Sequence, residues 1–337
     1  MKFTEKWLVC LLLLLLSPVA TSFAQEEGGS FSVTPLNPET GEPQSSYYDL
    51  RVKPNEKIEL QVMILNSSNK DMTIQVEANH ATTNDNGVSS YLKNPVRDSS
   101  LLVAFDDLVK VENNLIIVPA NSQKNAVIKV SIPKDPFKGQ LLGGLRFTEV
   151  KLEENKSQAA TLTNNIAYTI GVLLHQSDEK LTPEITMNKI ITEQRNYRNY
   201  ISVNLQNKVP QIVKEMSVYA KVFVQGTDEL RYEASNDAIK MAPNSNFYFG
   251  ISLEDQKFVA GNYTMKITGK ADGQMFDFCR DFTISPEKAN QYNRNAVFAK
   301  NNEELTPWVY VVGIGALIII GLLLFLLVKN RRETDES

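Results

Sequence analysis

The residues that could do chemistry are few. The chain has two histidines, His80 and His175, and two cysteines, Cys10 and Cys279. Cys279 stands beside Arg280, and a Cys, a His and an Arg are the parts of a wall transpeptidase. Neighbours on a strand point to opposite faces, however, so Cys279 and Arg280 would converge only across a bulge. On an alternating Phe276–Ile284 strand, Cys279 shares its polar face with Asp277 and Asp281. Two nearby carboxylates disfavour the thiolate that a nucleophile needs. His80 falls in phase with Met72–Ala78 at a strand end, and His175 lies just past an apolar run, so each reads as a hydrogen-bonded structural histidine. The carboxylate pairs Asp106-Asp107 and Glu153-Glu154 read as solvated loop charges. No phosphate loop, glycine-rich dinucleotide turn or HExxH helix occurs. The expectation is a protein without catalytic residues, metal or cofactor. A net charge of −4 gives no electrostatic argument for nucleic acid.

One cluster invites binding instead. Gln140-Leu141-Leu142-Gly143-Gly144-Leu145-Arg146-Phe147 places two glycines at the mouth of a strand, with Arg146 just beyond. Glycine within a strand marks a bulge or the close approach of a backbone or ligand, and both readings stand. Tyr91 follows the turn containing Asn84 and Asn86 and could stack on a sugar ring. The candidate ligand-binding set is therefore Asn84, Asn86, Tyr91, Gly143, Gly144 and Arg146.

These side chains need a frame, and the dominant period is two. Ile58, Leu60, Val62 and Ile64 alternate with Glu59, Gln61 and Met63; Met72–Ala78 and Ile128–Ile132 repeat the pattern. Such strands bury one face and wet the other. Between them lies turn chemistry: Lys53–Glu56, Asn66–Asn69, Asn84–Gly87 and Pro119–Ser122. The polar stretch Glu153–Asn165 reads as an inter-domain passage, and Ile166–Leu174 as the opening of a second strand series running to Ile284. The expected class is all-β: two consecutive Ig-like β-sandwich domains, over 25–155 and 156–285, followed by a polar stalk over 286–307.

The ends address the chain to a membrane. Lys2 and Lys6, the apolar run Leu8–Leu16, and Ser22-Phe23-Ala24 read as a signal peptide over 1–24. Trp308–Val328 is 21 residues without charge or proline, enough to cross a bilayer as a helix. Lys329, Arg331 and Arg332 then place the tail, 329–337, in the cytoplasm. The expected location is the cell membrane, single-pass, with the ectodomain facing the wall. Beyond the signal peptide only Cys279 remains, so no internal disulfide is possible.

In order along the chain come Phe31-Ser32-Val33-Thr34-Pro35, Tyr48-Asp49-Leu50, Val52-Lys53-Pro54, Ala81-Thr82-Thr83-Asn84 with Asn86-Gly87 and Tyr91, Asp98 with Ser100-Leu101, and Leu142–Phe147. Together they resemble the WxL-interacting protein family of Gram-positive bacteria. That resemblance implies a first domain that binds peptidoglycan and a second that binds host proteins such as extracellular matrix proteins. It also implies complexes with secreted WxL-domain proteins. It brings no catalytic residue with it. The family's usual glycine after the Val-x-Pro turn is Asn55 here, a residue that also tolerates left-handed backbone. Two other readings stay open: an extracytoplasmic chaperone lending an edge strand to secreted partners, and a wall hydrolase or transpeptidase.

Overall fold

The computed structural model describes residues 31–44, 47–150 and 166–296. The signal peptide, the 308–328 helix, the cytoplasmic tail and Glu153-Glu154 lie outside these described residues. Among the described residues no helix is long and apolar enough to cross a membrane.

The chain is all-β, as its period-two patterning requires. Its N-terminal half carries β1 (Phe31–Leu36), β2 (Tyr47–Arg51), β3 (Lys57–Asn66), β4 (Met72–His80), the short β5 (Thr82–Thr83) and β6 (Ser89–Ser90), and one helical turn, α1 (Phe105–Leu108). Strands β7 (Val109–Val111), β8 (Leu115–Val118), β9 (Ser122–Ser131), β10 (Gln140–Glu149) and β11 (Ala167–His175) follow. One sheet runs β1-β3-β9-β7 and the other β2-β11-β10-β4-β8. Their apolar faces meet in one core, where Leu60, Val62, Ile64, Ile74, Ile128, Val130, Leu145 and Phe147 are buried. The alternation seen in the sequence is the alternation between this core and water.

One strand departs from the sequence reading. Ile166–Leu174 was expected to open the second series, but β11 pairs antiparallel with β10 from Gln140↔His175 to Thr148↔Ala167, and parallel with β2. It is an interior strand of the N-terminal half. The polar stretch before it connects two neighbours of one sheet. Ile170, Val172 and Leu174 are buried in the first core, which is why the run is so apolar.

The C-terminal half carries β12 (Ile185–Arg195), β13 (Arg198–Asn207), β14 (Val213–Val224), β15 (Leu230–Met241), β16 (Ser245–Ser252), β17 (Gly261–Ala271), β18 (Gln274–Ile284) and α2 (Pro286–Asn295). Its sheets, β12-β13-β16 and β15-β14-β17-β18, enclose a second core built on Ile201, Val203, Leu205, Val218, Val222, Phe247, Met265 and Ile267. The stalk expected from residue 286 is corrected here. Residues 286–295 form a helix, started by Ser285, whose hydroxyl accepts from the Lys288 N–H, and by Pro286 in the first turn. Ala289 is buried on the core, Tyr292 packs beside Phe258, and Asn293 holds the Phe258 backbone at both its N–H and its carbonyl.

Turns take the residues that left-handed backbone demands. Asn55 has φ 63°, as its place in the Val-Lys-Pro-Asn turn suggested, and Gly87 closes the Asn84 turn with φ 72°.

Candidate functional site

The double glycine is neither a bulge nor a strained turn. The β10 register is continuous through Gly143↔Val172 and Gly144↔Gly171, and neither glycine has positive φ. Both are seats for aromatic rings. On the core face, the Phe105 ring lies where a Cβ of Gly143 would be. On the outer face, a Cβ of Gly144 would stand 2.7 Å from Tyr91 Cδ1 and Cγ. Tyr91 reaches on to Gly171, and the Asn79 amide fixes it by donating to the Tyr91 carbonyl at 3.0 Å. Burial pushes the Tyr91 phenol above its usual range. Arg146 stands one position further along the same outer face, between Glu77 of β4 and Thr169 of β11, without an ion pair among the described residues.

Asn84 and Asn86 do a different job. The Asn84 side chain accepts from the N–H groups of Asn86 and Val88, at 3.0 and 3.2 Å, and so builds the β5–β6 turn. That turn lies against the C-terminal half. The Gly87 carbonyl accepts from the Lys240 N–H at 2.7 Å, and the Thr83 and Ser245 hydroxyls are 2.6 Å apart. The six candidates are therefore not one site: Gly144 and Arg146 share the outer face of β10, with Tyr91 laid on Gly144 from the loop after β6, Gly143 faces the core, and Asn84 and Asn86 shape the docking turn.

The largest function missed in the sequence is this docking. Asp98 receives hydrogen bonds from Gln206 at 2.7 Å, from the Asn246 amide, and from the Ser100 N–H and hydroxyl. Burial works against its charge, but these donors outweigh it and hold the carboxyl below the usual range. Gln140 accepts from Gln211 and from the Ile212 N–H, and Asp85 lies 3.4 Å from Arg195. Asp98 and Thr83 belong to the stretches that carried the family resemblance, but a sequence does not display a partner 108 or 148 positions away.

The acidic pair Asp106-Asp107 is corrected from solvated charge to structural clamp. Arg97 donates to both carboxylates at 2.7–2.9 Å, and Asp106 also meets His80 Nδ1 at 3.1 Å. His80 is 3% exposed, and its Nε2 has no hydrogen-bond partner. His175 sits on β11, 3.3 Å from Asp49, beside a cavity of about 580 Å3 between the halves that Gln140, Lys214 and Asp272 also line. Cys279 is exposed on β18 opposite Lys266, while its neighbour Arg280 donates to the Met187 carbonyl instead. Asp281 is occupied by Thr264 and Gln225. Among the described residues no group of three His, Cys, Asp or Glu side chains could hold a metal ion. Cys279→Ser should change stability by less than about 0.5 kcal/mol, as an exposed substitution does, and leave wall binding intact. A thermal melt and a sacculus-pelleting assay check it; lost pelleting by a folded variant would restore a role for the thiol.

Solved structures similar to this chain include the E. coli chaperone DraB, at 11% identity, covering 76% of this chain and 98% of that one with TM-score 0.31. The Pseudomonas aeruginosa CupB2 chaperone is 14% identical, covering 70% and 97% with TM-score 0.28. The Class 5 fimbriae chaperone CfaA is 16% identical, covering 76% and 99% with TM-score 0.29. No curated protein sequence matches the chain. Family models do: the peptidoglycan binding domain of WxL Interacting Protein matches residues 31–149, and its host binding domain matches residues 157–294. With both domains matched in order along one polypeptide, this chain belongs to the WxL-interacting protein family.

Proposed function

We propose that the chain is a non-enzymatic surface scaffold or adhesin of two Ig-like sandwiches. The first binds peptidoglycan, and the second binds secreted WxL-domain proteins or host extracellular matrix proteins. The observation that carries this is the pair of family models, one for peptidoglycan and one for host binding, matched consecutively on one chain. In this reading the signal peptide is removed, and the helix at 308–328 holds the protein in the cell membrane with its ectodomain toward the wall. Because α2 docks on the second core, only 11 residues, 297–307, separate Ala296 from Trp308. Fully extended they reach at most about 40 Å. A second domain tethered so close to the membrane meets secreted bacterial proteins before it meets host proteins, which favours the WxL partner.

The test is pelleting with purified sacculi. The full chain should sediment with them, and so should a piece ending after Asp178. Residues 184–296 should stay in the supernatant and retain a secreted WxL-domain protein. A full chain that stays soluble beside sacculi overturns the peptidoglycan reading.

A further inference from the structure

The C-terminal sandwich is closed along one side only. Where its sheets end in β15 and β16, the N-terminal half covers them. There the Gly87 carbonyl accepts from the Lys240 N–H, and the Asp85 carboxylate accepts from the Tyr248 N–H. On the other side the sheets end in β12 and β18, and among the described residues no strand pairs with the outer edge of either. Such an edge is a row of unused main-chain donors and acceptors, which proteins ordinarily cover, shorten or bend. A bulge between Met187 and Ile190 bends β12. Strand β18 has no such break: its register with β17 is continuous from Ile284↔Gly261 to Gln274↔Ala271, and it contains no proline.

The core is unfinished along the same side. Met265 and Ile267 of β17, and Val218 and Val222 of β14, point inward and are fully buried. On β18, Phe276, Phe278 and Phe282 also point inward, opposite Gly269, Ile267 and Tyr263, yet they are only partly buried. Phe276 and Phe278 stack with their centroids 5.6 Å apart, which makes one apolar strip. A single charge interrupts it. Arg280 lies on the same face, is exposed, donates to the Met187 carbonyl at 3.1 Å and has no ion pair among the described residues. A second copy of this chain fits the edge badly. Pairing the whole of β18 with itself about a two-fold axis at Cys279 would set Asp277 opposite Asp281 twice, and like charges directly opposite are destabilising.

We propose that β18 takes an extended segment of a partner protein as an added antiparallel strand, with alternate apolar side chains beside Phe276, Phe278 and Phe282 and a carboxylate on Arg280. This rests on the reading that the second domain holds a secreted protein, and it assigns the surface and the kind of segment.

Titration calorimetry of the detergent-solubilised full chain with the peptide Thr-Val-Thr-Glu-Thr-Val-Thr-Val-Thr, carried on a polar tail, tests it. Paired antiparallel, its valines meet the three phenylalanines and its glutamate meets Arg280. It should bind saturably, and about tenfold more tightly than the same peptide with lysine for glutamate, the worth of one charge-assisted hydrogen bond. Arg280→Glu, an exposed substitution confirmed folded by its melt, should reverse that preference. Hydrogen exchange should slow over residues 274–284 when the glutamate peptide binds. No saturable binding, equal binding of the two peptides, or protection confined to another strand overturns the site. Protection of 274–284 that grows with protein concentration and needs no peptide would assign the edge to a second copy instead. A chain that ignores both peptides yet retains a secreted WxL-domain protein holds that partner elsewhere on the domain; a chain that retains neither loses the partner reading as well.

Discussion

A fragment from Gln25 to Asn155 should fail to fold, while one from Gln25 to Asp178 should fold. The difference is β11. This strand lies between β10 and β2, and among the described residues β2 has no other partner in the sheet. Cutting at residue 155 therefore removes one strand and orphans a second. The three side chains lost from the core, Ile170, Val172 and Leu174, are each nearly inaccessible, and burial of each contributes about 2 kcal/mol. Tyr48, fully buried on β2, would lose its neighbours as well. A domain with only about 5–15 kcal/mol in hand does not survive that. Circular dichroism with thermal melting checks it: a cooperative transition is expected from the longer piece and none from the shorter. A cooperative melt of the shorter piece would show that β11 is dispensable.

The same strand shows how far the sequence could be read. Alternation identified Ile166–Leu174 as a strand because burial on one face imposes period two wherever the strand lies. It could not say which sheet, because pairing depends on partners 124 residues apart in the chain, such as Tyr48 opposite Val172. A polar interval looks alike whether it joins two domains or two neighbours in a sheet. The turns were legible for the opposite reason. Asn55 and Gly87 answer a local demand of the backbone that neighbours in sequence set. The helix α2 also carried a local signal, Ser285-Pro286-Glu287, but its polar composition masked it. Of the candidate site, Gly143, Gly144 and Tyr91 were visible as residue types, yet their relation was not. Nothing in the sequence says that the Tyr91 ring rests on Gly144, or that Phe105 rests on Gly143. Asp106 looked like a loop carboxylate because its two partners, Arg97 and His80, are brought together only by folding.

Gly143→Ala should then be among the most damaging single-methyl additions to the N-terminal half. The new Cβ would overlap Cδ1, Cγ and Cβ of Phe105, which is itself wholly buried. That ring is wholly enclosed, and overpacking of this kind costs about 1–3 kcal/mol, occasionally more. Moving Phe105 would also drag the adjacent Asp106 from His80 and Arg97, so the upper end of that range is expected. Gly144→Ala differs in kind. Its Cβ would press on Tyr91, a half-buried ring on the outer face that can lift toward solvent, so the cost should be smaller. The pair separates packing from binding, since only Gly144→Ala disturbs the surface that Tyr91 and Arg146 share. A double-mutant cycle with Phe105→Ala completes the test. The three nearest atoms to the new Cβ all belong to Phe105, and alanine removes the closest two, Cδ1 and Cγ, so the double variant should lose at least about 1 kcal/mol less than the sum of the singles, a coupling typical of residues in direct contact. Strict additivity in denaturant melts would mean that the glycine serves some constraint other than the seat of Phe105.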